Sequence, residues 1–342
     1  MTFALRCRPY TLELRERFTL ANSSRTTTPT LLVELERDGL VGRGEASMPP
    51  YLGETQASAR AFLERVDLSL LEDPFASEPA LRAVDAAAPG NTAAKAALDL
   101  ALHDWQGKRL GQPHWRRLGL DPSATPPTSF TIGIDAPDAS AARAAEAAAT
   151  FRALKLKLGG AQDRDVIAAI RRATDAPLRV DVNQGWRDRA AALREARWLA
   201  DQGVELLEQP MPAAQREDLA WLRARSPLPV YADEGAQRLA DVDAAQGVYD
   251  GVNVKLMKCT GLSEAHAMIT AAQRRGLRVM LGCMTESSCA IAAAAQLASL
   301  CEVVDLDGAL LVRNDPFEPM PFVDGRVLPN DEPGLGVAPR RE

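Results

Sequence analysis

The sequence predicts an α/β fold: a modified TIM barrel of (β/α)7-8 type with an N-terminal α+β capping domain. Three observations predict it. From about residue 129 onward, short β-branched or apolar stretches alternate with Ala-rich helical patterns at a spacing of roughly 20 to 27 residues. Asp181, Glu208 and Asp233 stand where such stretches give way to loop residues, and the steps between them, 27 and 25 residues, each match one strand, one helix and two loops. The length of 342 residues suits a barrel of about 200 to 250 residues plus a smaller unit.

The elements follow in order. Leu31 to Glu36 and Leu40 to Glu45 flank Arg37-Asp38-Gly39, a β-hairpin with an Asp-Gly turn. Helical patterns run over Thr55 to Val66, Glu78 to Ala88 and Asn91 to Leu110, the last with Asn91 as N-cap and Gly111 beyond its end. Residues 1–120 are thus the α+β capping domain. A Pro-rich joint, Asp121 to Pro127, leads into a barrel spanning residues 121–314. Its strands are expected near Ser129 to Ile134, Ala153 to Leu158, Leu178 to Val182, Glu205 to Glu208, Val230 to Asp233, Gly251 to Lys255, Arg278 to Leu281 and Val303 to Leu306. Arg143, Glu146 and Arg152 punctuate the Ala-rich stretch from Ala139 to Ala153 at helical intervals, so it reads as an outer-ring helix rather than disorder. The tail, residues 315–342, is expected to run back to the cap.

Composition narrows the function. A net charge of −6 with both signs interspersed offers no basic field for a phosphate backbone, so nucleic acid is not an expected partner. No apolar tract is long enough to span a membrane, and Met1 to Cys7 does not read as a leader, so a cytoplasmic protein is expected. Five cysteines without paired spacing imply buried thiols in a reducing compartment. The three histidines, His103, His114 and His266, lack metal-ligand spacing and read as structural or solvated.

The chemistry sits at the strand ends. Three carboxylates converging on one mouth, without histidine or thiol, suit a hard octahedral cation such as Mg²⁺. Strand alternation sends Lys155 and Lys157 to one side, and Lys255 approaches from the far wall. Lysines on opposite faces of an α-carbon suit removal of a proton beside a carboxylate, with the cation stabilising the enediolate; one lysine takes the proton and the other returns it, so the centre inverts. A partly desolvated lysine beside another cation is expected to have a lowered pKa. Asn183 and Glu234 are expected to support the ligands, and Lys258 to lie solvated in a loop.

With these residues in place, the chain resembles the enolase superfamily, within its muconate-lactonizing-enzyme-like group, and most closely the dipeptide epimerases. The resemblance covers essentially the whole length. It implies that Lys155-Leu156-Lys157 is the family's Lys-x-Lys motif and that Asp181, Glu208 and Asp233 are the Mg²⁺ ligands. Lys157 and Lys255 are then the acid/base catalysts, with Lys155 tuning Lys157 and touching the substrate carboxylate. Asp305-Leu306-Asp307 resembles the Asp-x-Asp motif that holds a dipeptide's α-ammonium, and alternation on one strand would point both carboxylates the same way. Residues 282–288 resemble the family's loop after the seventh strand, with Cys283 offering backbone contacts, and Thr131 is placed at the substrate. A mobile cap loop, Leu20 to Pro29, is implied to set selectivity, with Arg25 pairing a glutamate side chain as in the L-Ala-D/L-Glu epimerases or standing solvated. Residues 24–29 and 46–54 are also similar to relatives acting on small dipeptides such as Ala-Ala. The expected partner is a small dipeptide, and a homo-oligomer is compatible with the sequence. The competing readings are an N-acylamino acid racemase, an o-succinylbenzoate synthase or a muconate-type cycloisomerase, whose substrates lack a free α-ammonium, and a non-catalytic ligand-binding barrel.

Overall fold

The chain begins with a three-stranded antiparallel sheet of β1 (Ala4–Leu20), β2 (Ser23–Arg37) and β3 (Leu40–Ser47), in a computed structural model that describes residues 2–20 and 23–341. Asp38 and Gly39 turn β2 into β3 with φ of 53° and 74°, the left-handed pair that a two-residue hairpin needs. The sequence reading misses β1 and takes Leu20 to Pro29 for a mobile loop. Apart from Ala21 and Asn22, which lie outside the described residues, this segment is strand: Leu20 ends β1, and Ser23 to Pro29 belong to β2, with Arg25 opposite Phe18. Three consecutive threonines, Thr26 to Thr28, favour the extended chain here.

Three helices follow, of which α1 (Gln56–Leu63) and α3 (Thr92–Leu110) back the sheet while α2 (Ser77–Ala86) packs on α3. Helix α3 lies so close to β3 that a Cβ at Gly42 or Gly44 would collide with the carbonyl oxygens of Ala101 or Ala97; only glycine permits that approach. Asn91 occupies the N-cap position of α3 but its side chain makes no cap bond. Glu54 does the capping instead, accepting from the Ala93 and Ala94 amides at 3.0 and 3.3 Å, a charge-favourable arrangement at a helix N-terminus. A short helix α4 (His114–Arg117) follows, and the rings of His103 and His114 pack edge to face at 4.6 Å.

Eight parallel strands then run in sequence order: β4 (Ser129–Ile132), β5 (Ala153–Lys157), β6 (Leu178–Asp181), β7 (Val204–Glu208), β8 (Val230–Ala232), β9 (Gly251–Val254), β10 (Arg278–Gly282) and β11 (Val303–Asp305). Between them lie α5 (Pro137–Ala148), α6 (Asp163–Ala173), α7 (Arg189–Asp201), α8 (Arg216–Arg223), α9 (Leu239–Ala245), α10 (Leu262–Arg274) and α11 (Ser288–Ala295). The seam between β11 and β4 is closed by a bridge from Thr128 to Val304, by the Leu306 amide donating to Thr128 Oγ1 at 2.7 Å and by Ser129 Oγ donating to Asp305 Oδ1 at 2.6 Å. Placing the acidic and basic side chains at the C-terminal ends of these strands brings them to one mouth of the barrel, the end where such folds build sites.

The cap sheet lies over that mouth. Thr28 and Thr285 share a hydroxyl hydrogen bond of 2.5 Å, and Ser47 Oγ donates to the Thr285 carbonyl at 2.9 Å. Glu45, wholly buried, accepts from the Ser287 amide and hydroxyl at the start of α11, and burial pushes it up to about 7, with nearby Asp315 adding to the rise. The unfolded chain releases this proton near pH 4.5 while the folded chain keeps it. Stability from Glu45 is therefore fully present below about 4.5 and lost as pH rises through about 7, a change on the order of 3 kcal/mol. Glu45→Gln is expected to flatten that limb in urea-unfolding titrations; an unchanged slope would remove Glu45 as its source.

The tail returns to the cap: Leu335 N donates to Asp104 Oδ1 at 2.9 Å, and Gly334 bridges Pro113. Its contacts with α3 and α4 fix its path. All five cysteines are free thiols, Cys259, Cys289 and Cys301 of them buried. No helix among the described residues is long and apolar enough to cross a membrane.

Candidate active site

Because strands β5 to β9 stand side by side in chain order, the side chains at or one residue past their ends form a row: Lys157, Asp181, Glu208, Asp233, Lys255. Each lysine pairs with the carboxylate beside it. Lys157 Nζ donates to Asp181 Oδ2 at 2.6 Å, and Lys255 Nζ to Asp233 Oδ2 at 2.7 Å. Lys155, one pleat below Lys157, reaches Asp305 Oδ2 at 2.8 Å and lies 2.6 Å from Glu208 Oε2. All seven groups are buried.

The three carboxylates each present an oxygen within 4.8 Å of the others. Glu208 Oε2 has no hydrogen-bond donor in line, despite the nearby Lys155 ammonium. Burial pushes Glu208 up to about 7, and the neighbouring Asp181 adds to the rise. Buried like charges with an orphaned oxygen, an all-oxygen donor set and no thiol or imidazole fit a hard divalent cation. Burial opposes ionisation of Asp181 and Asp233 as well, but Lys157 and Lys155 hold the first below the usual carboxylate range, and Lys255 and Lys258 hold the second well below it. The lysines respond in kind. Burial alone would lower Lys155 and Lys255, yet Asp305 and Glu208 hold the former, and Asp233 the latter, well above the usual range. The expectation of a lowered lysine pKa therefore does not describe Lys255 here, because its nearest charge is a carboxylate; the oxygens that hold it up belong to the residues a cation would engage.

Supporting groups fix the row. Asn253, on β9 two residues before Lys255, donates to Glu208 Oε1 at 2.8 Å. Gln209, at φ 35°, accepts from the Asp233 and Gly235 amides at 3.0 and 2.9 Å. Asn183 supports Asp181 through its backbone amide, 2.9 Å from Oδ1, whereas Glu234 lines the cavity with Oε2 unpartnered. Lys258 is not solvated. It is buried, and its Nζ donates to Asp233 Oδ1 at 2.5 Å. Of these, Asn253 is readable by strand alternation, while Gln209 and Lys258 depend on the turns after β7 and β9.

The row opens into a cavity of about 330 Å³. Asp305 and Asp307 line it, buried, on the wall nearest Lys155. They do not alternate on one strand as expected: β11 ends at Asp305, and Asp307 sits in a helical conformation starting the following turn. Asp307 Oδ2 accepts from the Thr131 amide at 2.6 Å. Lys155 holds Asp305 below the usual range against the cost of burial. Burial and the nearby Asp305 push Asp307 up to about 7. Thr131 and Cys283 also line the cavity, the latter with Sγ 3.2 Å from the Asp305 carbonyl. From the cap come Arg25, Phe18 and Tyr51. Arg25 stands over the Phe18 ring at 5.5 Å and donates to Thr285 Oγ1 at 3.2 Å, leaving its Nε unpartnered.

Known proteins resemble this chain over nearly its whole length. Residues 5–119 match the model of the mandelate racemase / muconate lactonizing enzyme N-terminal domain, and residues 139–342 that of the enolase C-terminal domain-like family. The chain is 53% identical over 329 residues, 96% of its length and 86% of the relative's, to an L-Ala-D/L-Glu epimerase of Bacteroides thetaiotaomicron. Among solved structures, a dipeptide epimerase from Enterococcus faecalis complexed with Mg and L-Leu-L-Tyr superposes with a TM-score of 0.91 at 30% identity, covering 99% of this chain and 100% of that one. An N-succinyl Arg/Lys racemase from Bacillus cereus reaches 0.92 at 29% identity, over 99% of this chain and 96% of that one. With both parts of the chain matched and the acidic triad set between paired lysines, the protein belongs to the mandelate racemase / muconate lactonizing enzyme family of the enolase superfamily.

Proposed function

We propose that the protein is a Mg²⁺-dependent dipeptide epimerase that inverts the α-carbon of the C-terminal residue of a small dipeptide, with L-Ala-L/D-Glu as the preferred substrate class and Ala-Ala as the next. The observation that carries this reading is the order Lys157, acidic triad, Lys255 around one mouth, with Asp305 and Asp307 on the same cavity. Asp181, Glu208 and Asp233 would hold the ion, which when bound would supply positive charge against the anion that develops as the α-proton leaves. Lys157 and Lys255 act from opposite sides of the row: the neutral one takes the α-proton and the protonated one delivers its own to the other face, so the two exchange protonation states each turnover. Lys155, held protonated by Asp305 and Glu208, gives the substrate carboxylate a fixed positive neighbour. Asp305 and Asp307 clasp the α-ammonium, with Thr131 and Cys283 shaping that end of the cavity.

The B. thetaiotaomicron relative and the half-buried Arg25 at the cavity support glutamate as the second residue, because a guanidinium with a buried, unused Nε donor gains from a carboxylate. Arg25→Met is expected to lower kcat/KM for L-Ala-L-Glu about 10- to 100-fold, with L-Ala-L-Ala changed far less; equal losses on both substrates would remove Arg25 from the side-chain subsite. An N-acylated substrate is disfavoured by the same cavity, since it would bury Asp305 and Asp307 opposite a neutral amide. The decisive experiment is α-proton exchange in D₂O with Mg²⁺ across L,L dipeptides that include L-Ala-L-Glu and L-Ala-L-Ala. Exchange with inversion is expected, and no exchange in any dipeptide would overturn the reading.

A further inference from the structure

Lys258 lies three residues beyond Lys255, yet its ammonium turns away from the cavity. Its Nζ donates to Asp233 Oδ1 at 2.5 Å, to the Asp233 carbonyl at 2.7 Å, to the Asn253 carbonyl at 2.9 Å and to the Ala236 carbonyl at 3.2 Å. Three protons thus serve four acceptors, so every hydrogen bond the group can make is spent inside the protein. Its side chain is fully buried and does not line the cavity, whereas Lys255, on the other oxygen of the same carboxylate, does. Asp233 is therefore gripped from two sides by ammonium groups in unlike positions. One faces the substrate; the other is sealed behind the carboxylate and also ties the turn after β8 to strand β9.

We propose that Lys258 is a positioning residue that holds the Asp233 carboxylate within the acidic triad from behind, independently of Lys255. The physical need is plain. Lys255 must come free of Asp233 to meet an α-carbon, and when it does, a carboxylate held only by Lys255 would turn about its side-chain bonds. The Lys258 bond to Oδ1, made by an ammonium that three backbone carbonyls fix in place, removes that freedom. A simpler role exists, in which Lys258 merely neutralises a buried charge, and the two roles differ in sign. Losing a neutralising charge leaves the triad more negative and tightens its hold on a cation; losing an anchor loosens one of three ligands, for which supporting contacts of this kind are worth about 10- to 100-fold in metal affinity.

The inference rests on the metal reading above, and the test separates the two. Mg²⁺ is titrated calorimetrically, without substrate, into the wild-type protein, Lys258→Met and Lys258→Gln, with thermal unfolding of each apo protein alongside. Lys258→Met is expected to bind Mg²⁺ about 10- to 100-fold more weakly while still unfolding cooperatively. Lys258→Gln, whose amide keeps one donor but no charge, is expected to lose less. Unchanged or tighter binding in a folded Lys258→Met protein would overturn the proposal in favour of simple neutralisation. Failure of both variants to fold would assign Lys258 to the fold and overturn it equally. No Mg²⁺ uptake by the wild-type protein would instead sink the metal reading itself.

Discussion

Lys157→Ala and Lys255→Ala are each expected to abolish inversion, lowering it by about 10³-fold or more, while each retains exchange of one epimer only. General acid/base groups are worth about 10²- to 10⁴-fold apiece, and inversion here needs both. The asymmetry is the informative part. With Lys157 gone, Lys255 still removes the α-proton exposed to its side of the row and returns a deuteron to the same face; the opposite hand has no base within reach. Lys157→Ala must do this with one epimer of the dipeptide and Lys255→Ala with the other, read by NMR in D₂O. Exchange of both epimers in either variant would refute assignment of the two faces to these two lysines. Since Lys157 and Lys255 hydrogen-bond to different members of the triad, Asp181 and Asp233, damage to the metal site is expected to depress both epimers together and can be recognised as such.

The second large effect concerns Asp307. Removing one partner of a buried, hydrogen-bonded charge pair costs about 2 to 5 kcal/mol, so Asp307→Asn is expected to lower kcat/KM for free dipeptides by roughly 30- to 3000-fold. An N-acetylated dipeptide, which carries no ammonium, is expected to lose little. Asp307 is the cleaner choice because Asp305 also holds Lys155 at 2.8 Å, so an asparagine at 305 alters two functions. The pKa adds a second signature. Burial and Asp305 push Asp307 up to about 7, so in the free enzyme it becomes neutral as pH falls through that value and its attraction for an ammonium is lost. KM for a free dipeptide is expected to rise as pH falls from 8 to 6, and the Asp307→Asn variant to lack that rise. A wild-type KM flat across this interval would remove Asp307 from the ammonium subsite.

How much of this was legible in the chain depends on how local the cause is. Lys155 and Lys157 share a face because strand side chains alternate, a rule that acts within three residues, and the same rule marks Asn253 with Lys255. The 27- and 25-residue steps between the acids carry the barrel repeat because a strand and a returning helix have a fixed length cost. Where the cause is not local, the sequence misleads. β1 (Ala4–Leu20) does alternate, Leu5 and Cys7 against Arg6 and Arg8, then Tyr10, Leu12 and Leu14 against Thr11, Glu13 and Arg15, but the phase shifts by one residue at Pro9 and only Leu12 and Leu14 are buried, so neither half stands out as a strand until pairing with β2 joins them. Asp307 follows a strand that ends two residues sooner than the motif suggests. Lys258 reads as a surface charge until the turn after β9 carries it back to Asp233, and Asn91 reads as a cap until Glu54 arrives from 37 residues earlier in the chain to do that work.

Asp305 belongs to two structures at once. Its Oδ1 accepts from Ser129 across the β11–β4 seam, and its Oδ2 accepts from Lys155 in the site. The first and last barrel strands, 176 residues apart at this contact, must therefore have met before the ammonium subsite exists. In refolding, turnover of a free dipeptide becomes a clock for ring closure: helical content and burial of the tryptophans can recover earlier, on more local contacts, but dipeptide turnover cannot precede the final strand.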